Sequence, residues 1–240
     1  MSNAELTTSE SMESSIHFET ILILILAVVM GGLAALVVFP LWGGNLASSF
    51  VGSQAKGFWY LSRGSAIAAF GLLWLSMASG TAITNKMARF WPGGPTAFAV
   101  HEFSSLLGIA FAVFHALILL GDHYINYSLG QVLVPFASAN YRPVWVGVGQ
   151  VGLYVWIVVT FSFYVRKQIG HKTWRWIHFA SYGAFLMALL HGVSSGTDSG
   201  LLWAQVMYWF AGGSLLFLLA YRVLVSLVKP AGARRAVAGR

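Results

Sequence analysis

Six stretches of roughly twenty mostly apolar residues, long enough to cross a bilayer, run through this 240-residue chain. They lie at about 19–40, 58–79, 97–121, 144–165, 176–194 and 201–222, the last extending toward 228. In lipid every backbone polar group must be satisfied within the protein, which leaves helices as the reading for segments of this length. The fold expected is therefore all-α, an integral membrane six-helix bundle. Only 9% of residues are charged and 58% are hydrophobic, against about 25% charged in a soluble domain. Residues 1–18, rich in Ser and Glu and lacking a positive n-region, read as a disordered lead and not as a cleaved signal peptide. Residues 19–228 read as one six-span domain and 229–240 as a basic disordered tail. No internal repeat and no second domain stands out.

Lys and Arg set orientation, because acidic residues contribute little. Six spans put both termini on one side, with Lys86, Arg89, Arg166, Lys167, Lys172, Arg175, Arg222, Lys229, Arg234, Arg235 and Arg240. The other side has Lys56, Arg63 and Arg142. This asymmetry places both termini in the cytoplasm, and a bacterial inner membrane is the expected location. The net charge of +7 belongs to this topology, so no nucleic-acid partner is expected; membrane lipid is. Trp42, Trp59, Tyr60, Trp145, Trp174 and Trp203 fall near span ends, as an aromatic belt would. The glycine pairs Gly31–Gly32 and Gly212–Gly213 are expected to let helices approach closely.

Four of the seven histidines lie inside two spans. His101 and His115 are 14 residues apart in the third; His178 and His191 are 13 apart in the fifth. An ionisable residue at membrane depth is costly and is a functional candidate by default. Imidazole is the commonest protein ligand for metals and also holds haem iron. The third and fifth spans run parallel, so His101 matches His178 in depth near the cytoplasmic side, and His115 matches His191 toward the outside. At 1.5 Å rise per residue the two levels are about 20 Å apart. Two imidazoles at each level would clamp two stacked haems, a path for electrons across the membrane. The chain has no cysteine, so such haems are non-covalent. Fourteen residues return within about 40° of the same helix face, whereas thirteen land about 140° away. Either the two haems are rotated relative to each other or the fifth helix bends, near Gly183. His17, His123 and His171 lie outside the spans and read as solvated. A histidine-lined metal transporter is a weaker reading, which predicts bound zinc or copper and no Soret band.

These stretches resemble the ferric reductase-like transmembrane domain family, which includes NADPH oxidases, ferric reductases and the haem subunit of bacterial methionine sulfoxide reductase systems. The resemblance covers roughly residues 57–225. It rests on HEFSSLLGIAFAVFH, on HKTWRWIHFASYGAFLMALLHG with its Trp174-Arg175-x-x-His178 lead-in, and on WYLSRGSAIAAFGLL. VPFASANYRPVW and SGTDSG are similar to outer loops of uncharacterised bacterial members. The resemblance implies a six-helix bundle holding two b-type haems, the inner on His101 and His178 and the outer on His115 and His191. It also implies that Arg63 faces the outer haem; the other reading of Arg63 is a snorkelling interface residue. Two departures stand out. No flavin- and NADPH-binding segment with a GxGxxG is present, and Leu119 occupies a position where the oxidases carry a further histidine. The function expected is electron transfer from a separate cytoplasmic or quinol donor, such as a flavin reductase, to an exterior acceptor or redox protein. No motif holds a flavin or quinone. The alternative is a non-catalytic haem-binding or packing subunit of a larger respiratory or photosynthetic complex.

Overall fold

The computed structural model describes residues 48–50, 56–90, 93–139 and 141–228. The expected first span, the Gly31–Gly32 pair, Trp42, the N-terminal lead and the C-terminal tail lie outside these residues. The chain divides into two units, Met1–Gly57 and Phe58–Arg240, and the helices below build the second.

All regular secondary structure among the described residues is helical. The long helices are α1 (Gly57–Thr84) and α2 (Gly94–Ile118), which a 3-10 turn extends to Gly121. A short α3 (Leu129–Leu133) precedes α4 (Pro143–Ser162); a single turn, α5 (Arg166–Ile169), leads into α6 (His171–Ser195), and α7 (Leu202–Val228) closes the bundle. Five of these helices are long and apolar enough to cross a membrane, and they correspond to the second through sixth expected spans. Their outward faces carry large apolar side chains: Phe103 is 65% exposed, Leu216 68% and Trp209 81%. A soluble monomer rarely exposes apolar patches of this extent; the pattern marks a multi-pass membrane protein.

Local sequence sets the helix ends. Gly93 (φ 101°) and Gly170 (φ 81°) turn the chain into α2 and α6, a backbone region open to glycine without steric cost. Pro143 opens α4, where its missing N–H costs nothing. Starting at His171, α6 takes in Trp174 and Arg175, which the expected span beginning at 176 left out.

Successive long helices alternate in direction. On α1, Ser62 meets His115 and Ser76 meets His101, so α1 and α2 are antiparallel. The same alternation brings Gly152 of α4 against Met187 of α6, and Trp74 of α1 donates to Ser214 of α7 at 2.9 Å. Helices α4 and α6 pack together along much of their length, and glycine explains it. A side chain at Gly152 would lie 3.1 Å from Met187 Cβ, and one at Gly149 would run into the His191 ring at 2.6 Å. Small residues let membrane helices approach in this way. The Gly212–Gly213 pair does less: position 212 is in ordinary contact with Leu189, and position 213 faces open space.

The core joins Phe70, Leu73 and Met77 of α1 with Ile109 of α2, Trp156 of α4, Ala184 and Phe185 of α6, and Ala211 and Leu215 of α7. Trp156 reaches Gly108, where a Cβ would lie 2.6 Å from the indole. Because 108 is midway between 101 and 115, this packed layer separates the two histidine levels.

Candidate functional site: two facing histidine pairs

The four intramembrane histidines meet as two pairs. The His101 and His178 ring centres are 6.1 Å apart with planes at 77°, and those of His115 and His191 are 6.2 Å apart with planes at 69°. Both pairs bridge α2 and α6, which therefore run parallel, as the depth matching expects.

Three of the four rings are oriented by a backbone carbonyl. His115 Nδ1 lies 2.8 Å from the Ser62 carbonyl, His101 Nδ1 2.8 Å from that of Ser76, and His191 Nδ1 2.9 Å from that of Trp145. A carbonyl can only accept, so Nδ1 carries the hydrogen in each. Nε2 is left with its lone pair free, the tautomer a metal-ligating imidazole needs. In a helix, a carbonyl that receives an imidazole must not be covered by the side chain one turn on. Ser76 and Trp145 are each followed four residues later by glycine, Gly80 and Gly149, and Ser62 by Ala66. A Cβ at Gly80 would sit 3.0 Å from the His101 ring.

The device repeats along α1. Ser62 and Ser76 are 14 residues apart, the spacing of His115 and His101, and each hydroxyl also lies within 3.1 Å of its histidine's Nδ1. Ser65 and Ser79 follow three residues after each, and both hydroxyls bond back to the preceding turn. A Ser-x-x-Ser pattern thus recurs on α1 beside each histidine level. Its legible signal was the match between two serine and two histidine spacings.

His178 is held differently: its ring stacks on Trp174 at 5.2 Å and 29°. Trp174 is thereby drawn into the site, beyond the belt role read for it. The helix α6 runs unbroken through Gly183. Within it, His191 turns to the Trp145 carbonyl of α4 and His178 to the Trp174 ring.

A metal–imidazole bond of about 2.0–2.1 Å on each side of a shared ion, plus roughly 1.1 Å from nitrogen to ring centre, separates two ring centres by roughly 6 Å. Both observed separations fit. Among the described residues no group of three or more His, Cys, Asp or Glu gathers as a metal cluster. Two imidazoles fall short of the four ligands of a zinc site but match the two axial positions of a haem. A cavity of about 430 Å³ opens beside His101 and His178, lined by α1, α2, α4, α6 and Arg222 of α7. This volume falls within the range of about 300–1,000 Å³ typical of cofactor sites.

At the other level Arg63 forms an ion pair with Asp198 of the α6–α7 loop, and its guanidinium lies 4.2 Å over the Trp59 ring. Its Nε is buried without a hydrogen-bond partner. The expectation for Arg63 omitted this partner, although the SGTDSG string contains it. The segment 122–142 is tied down: Asp122 caps the turn at Tyr124 and Ile125, and Ser128 and Gln131 form a capping box. Gln150 holds the Gln131 and Val132 carbonyls, and Tyr141 donates to the Ser195 carbonyl at 2.7 Å. His123 and His171 are exposed, as expected. No family model, curated protein or solved structure matches the chain.

Proposed function

We propose that this chain is a two-haem membrane cytochrome of the ferric reductase-like type. It passes electrons from a cytoplasmic or quinol donor to an exterior acceptor. One observation carries the reading: two imidazole pairs, three of whose four members have Nδ1 pinned by a carbonyl, face each other at the separation a shared metal requires. A b-type haem held by these imidazoles would supply a one-electron carrier.

The residues then have separate roles. His101 and His178 hold the inner group, His115 and His191 the outer. The carbonyls of Ser62, Ser76 and Trp145 fix tautomer and ring direction, so little reorganisation accompanies a change of charge. The layer around Trp156 and Ala184 excludes water between the levels. Arg63, with Nε free, supplies positive charge beside the outer level. Lys86, Arg89, Arg166, Lys167, Lys172, Arg175 and Arg222 belong to the cytoplasmic end, and Arg63 and Arg142 to the exterior, by the positive-inside rule. Six spans with both termini cytoplasmic, in a bacterial inner membrane, complete the reading. Hydride from a nicotinamide must be split into single electrons, the work of a flavin, so a flavin reductase or a quinol serves as donor in this reading.

The test is cofactor content. Purified protein should contain two non-covalent haems per chain by the pyridine haemochrome assay. His115→Ala should lose the outer haem and His101→Ala the inner. A ratio near zero in the unaltered protein sinks the proposal.

A further inference from the structure

The cavity beside His101 and His178 has chemically distinct ends. We infer that its cationic end receives the paired carboxylates of the amphiphilic cofactor held there; this rests on the haem reading above. Arg175, near the start of α6, and Arg222, from the last turns of α7, both line the cavity. Neither has an ion-pair or hydrogen-bond partner among the described residues. Trp174 also lines it, and its Nε1 is buried with no acceptor. A buried N–H without a partner is rare and calls for an explanation.

No carboxylate of the described chain is free to answer these groups. Asp198 pairs with Arg63, and Asp122 caps backbone N–H groups. Glu102 lines the same cavity but accepts from Tyr164 Oη at 3.0 Å, which raises the phenol pKa above its ordinary value. Two guanidinium groups and an indole N–H with nothing to bind make a carboxylate receptor, because planar guanidinium matches a carboxylate in geometry and charge. Toward the middle of the bundle the cavity is walled by the apolar side chains of Leu73, Met77, Trp156 and Ala184, with only neutral hydroxyls such as Ser105 and Thr160 among the other lining groups there. A flat molecule with two carboxylates on one edge and hydrocarbon on the other fits only one way round. The carboxylates lie toward Arg175 and Arg222, the hydrocarbon edge toward Trp156.

The experiment uses the full chain purified free of cofactor, carrying His191→Ala so that only the inner pair binds. It is titrated with haem b or with the dimethyl ester of haem b, followed by the Soret band. The free acid should bind at least about tenfold tighter than the ester, as one or two charge-assisted hydrogen bonds imply. Arg175→Gln/Arg222→Gln should bind both forms equally, and Arg175→Lys/Arg222→Lys should restore part of the preference. Should the double glutamine variant not fold, Trp174→Phe removes one donor at nearly constant shape and should narrow the acid-to-ester ratio. Equal binding of acid and ester, or a preference untouched by these variants, overturns the inference while leaving the haem reading intact. No Soret band in any arm overturns both. If the arginines hold lipid phosphate instead, the ratio stays near one and the double variant loses bound phosphatidylglycerol by mass spectrometry, which also overturns it.

Discussion

His191 donates through Nδ1 to the carbonyl of Trp145 at 2.9 Å, an approach that exists because Gly149, one turn further along α4, has no side chain. The ring occupies the space a Cβ would need. Gly149→Ala should therefore displace His191 and remove one haem of two, read per chain by pyridine haemochrome. Gly183→Ala is the control: nothing lies near that position, so both haems should stay and the helix should gain up to about 1 kcal/mol. Two haems retained in Gly149→Ala would argue against His191 as a ligand.

The ring planes in each pair are nearly perpendicular, at 77° and 69°. Crossed imidazole planes leave two iron d orbitals close in energy. The oxidised protein should give a strongly anisotropic low-spin EPR signal at both levels. A rhombic spectrum of the kind produced by parallel imidazoles would contradict this geometry.

The ion pair between Arg63 and Asp198 joins α1 to the α6–α7 loop. Asp198→Asn keeps the shape and removes the charge. Breaking a partly buried charged hydrogen bond should cost about 1–3 kcal/mol. Melting in detergent should fall by about 2–4 °C per kcal/mol in a chain of this size. An unchanged melting temperature would show that the pair contributes nothing to stability.

Orientation is open to direct measurement. Reporter fusions within 167–173 and at residue 240 should report cytoplasm, and one within 125–140 should report the exterior. The reverse pattern would exchange the inner and outer assignments of the two histidine pairs.

Much of this was legible in the sequence because it depends on side-chain identity and spacing. The described spans follow from apolar runs, and the pairing of His101 with His178 and His115 with His191 follows from depth along parallel helices. What orients the histidines was harder to read. Three of the four orienting groups are backbone carbonyls, which every residue carries, so composition cannot mark them. Gly80 and Gly149 look like any glycine until the neighbouring helix is in place. The serine spacing on α1 was visible but had no meaning before Ser62 and Ser76 were seen beside His115 and His101. The role of Asp198 likewise required the loop after α6 to fold back over α1.

The carbonyls that hold His101 and His115 both come from α1, the one that holds His191 comes from α4, and the Trp174 ring beneath His178 comes from α6 itself. Each antiparallel hairpin, α1 with α2 and α4 with α6, therefore aims its own imidazoles without help from the other. This suits the order of synthesis. A ribosome delivering helices in pairs would leave two half-sites in the membrane, to be joined as Trp156 packs on Gly108 and the imidazoles come face to face. The division falls in segment 122–142, between the halves, so a chain cut there and produced as two fragments is the natural starting material for watching the bundle assemble.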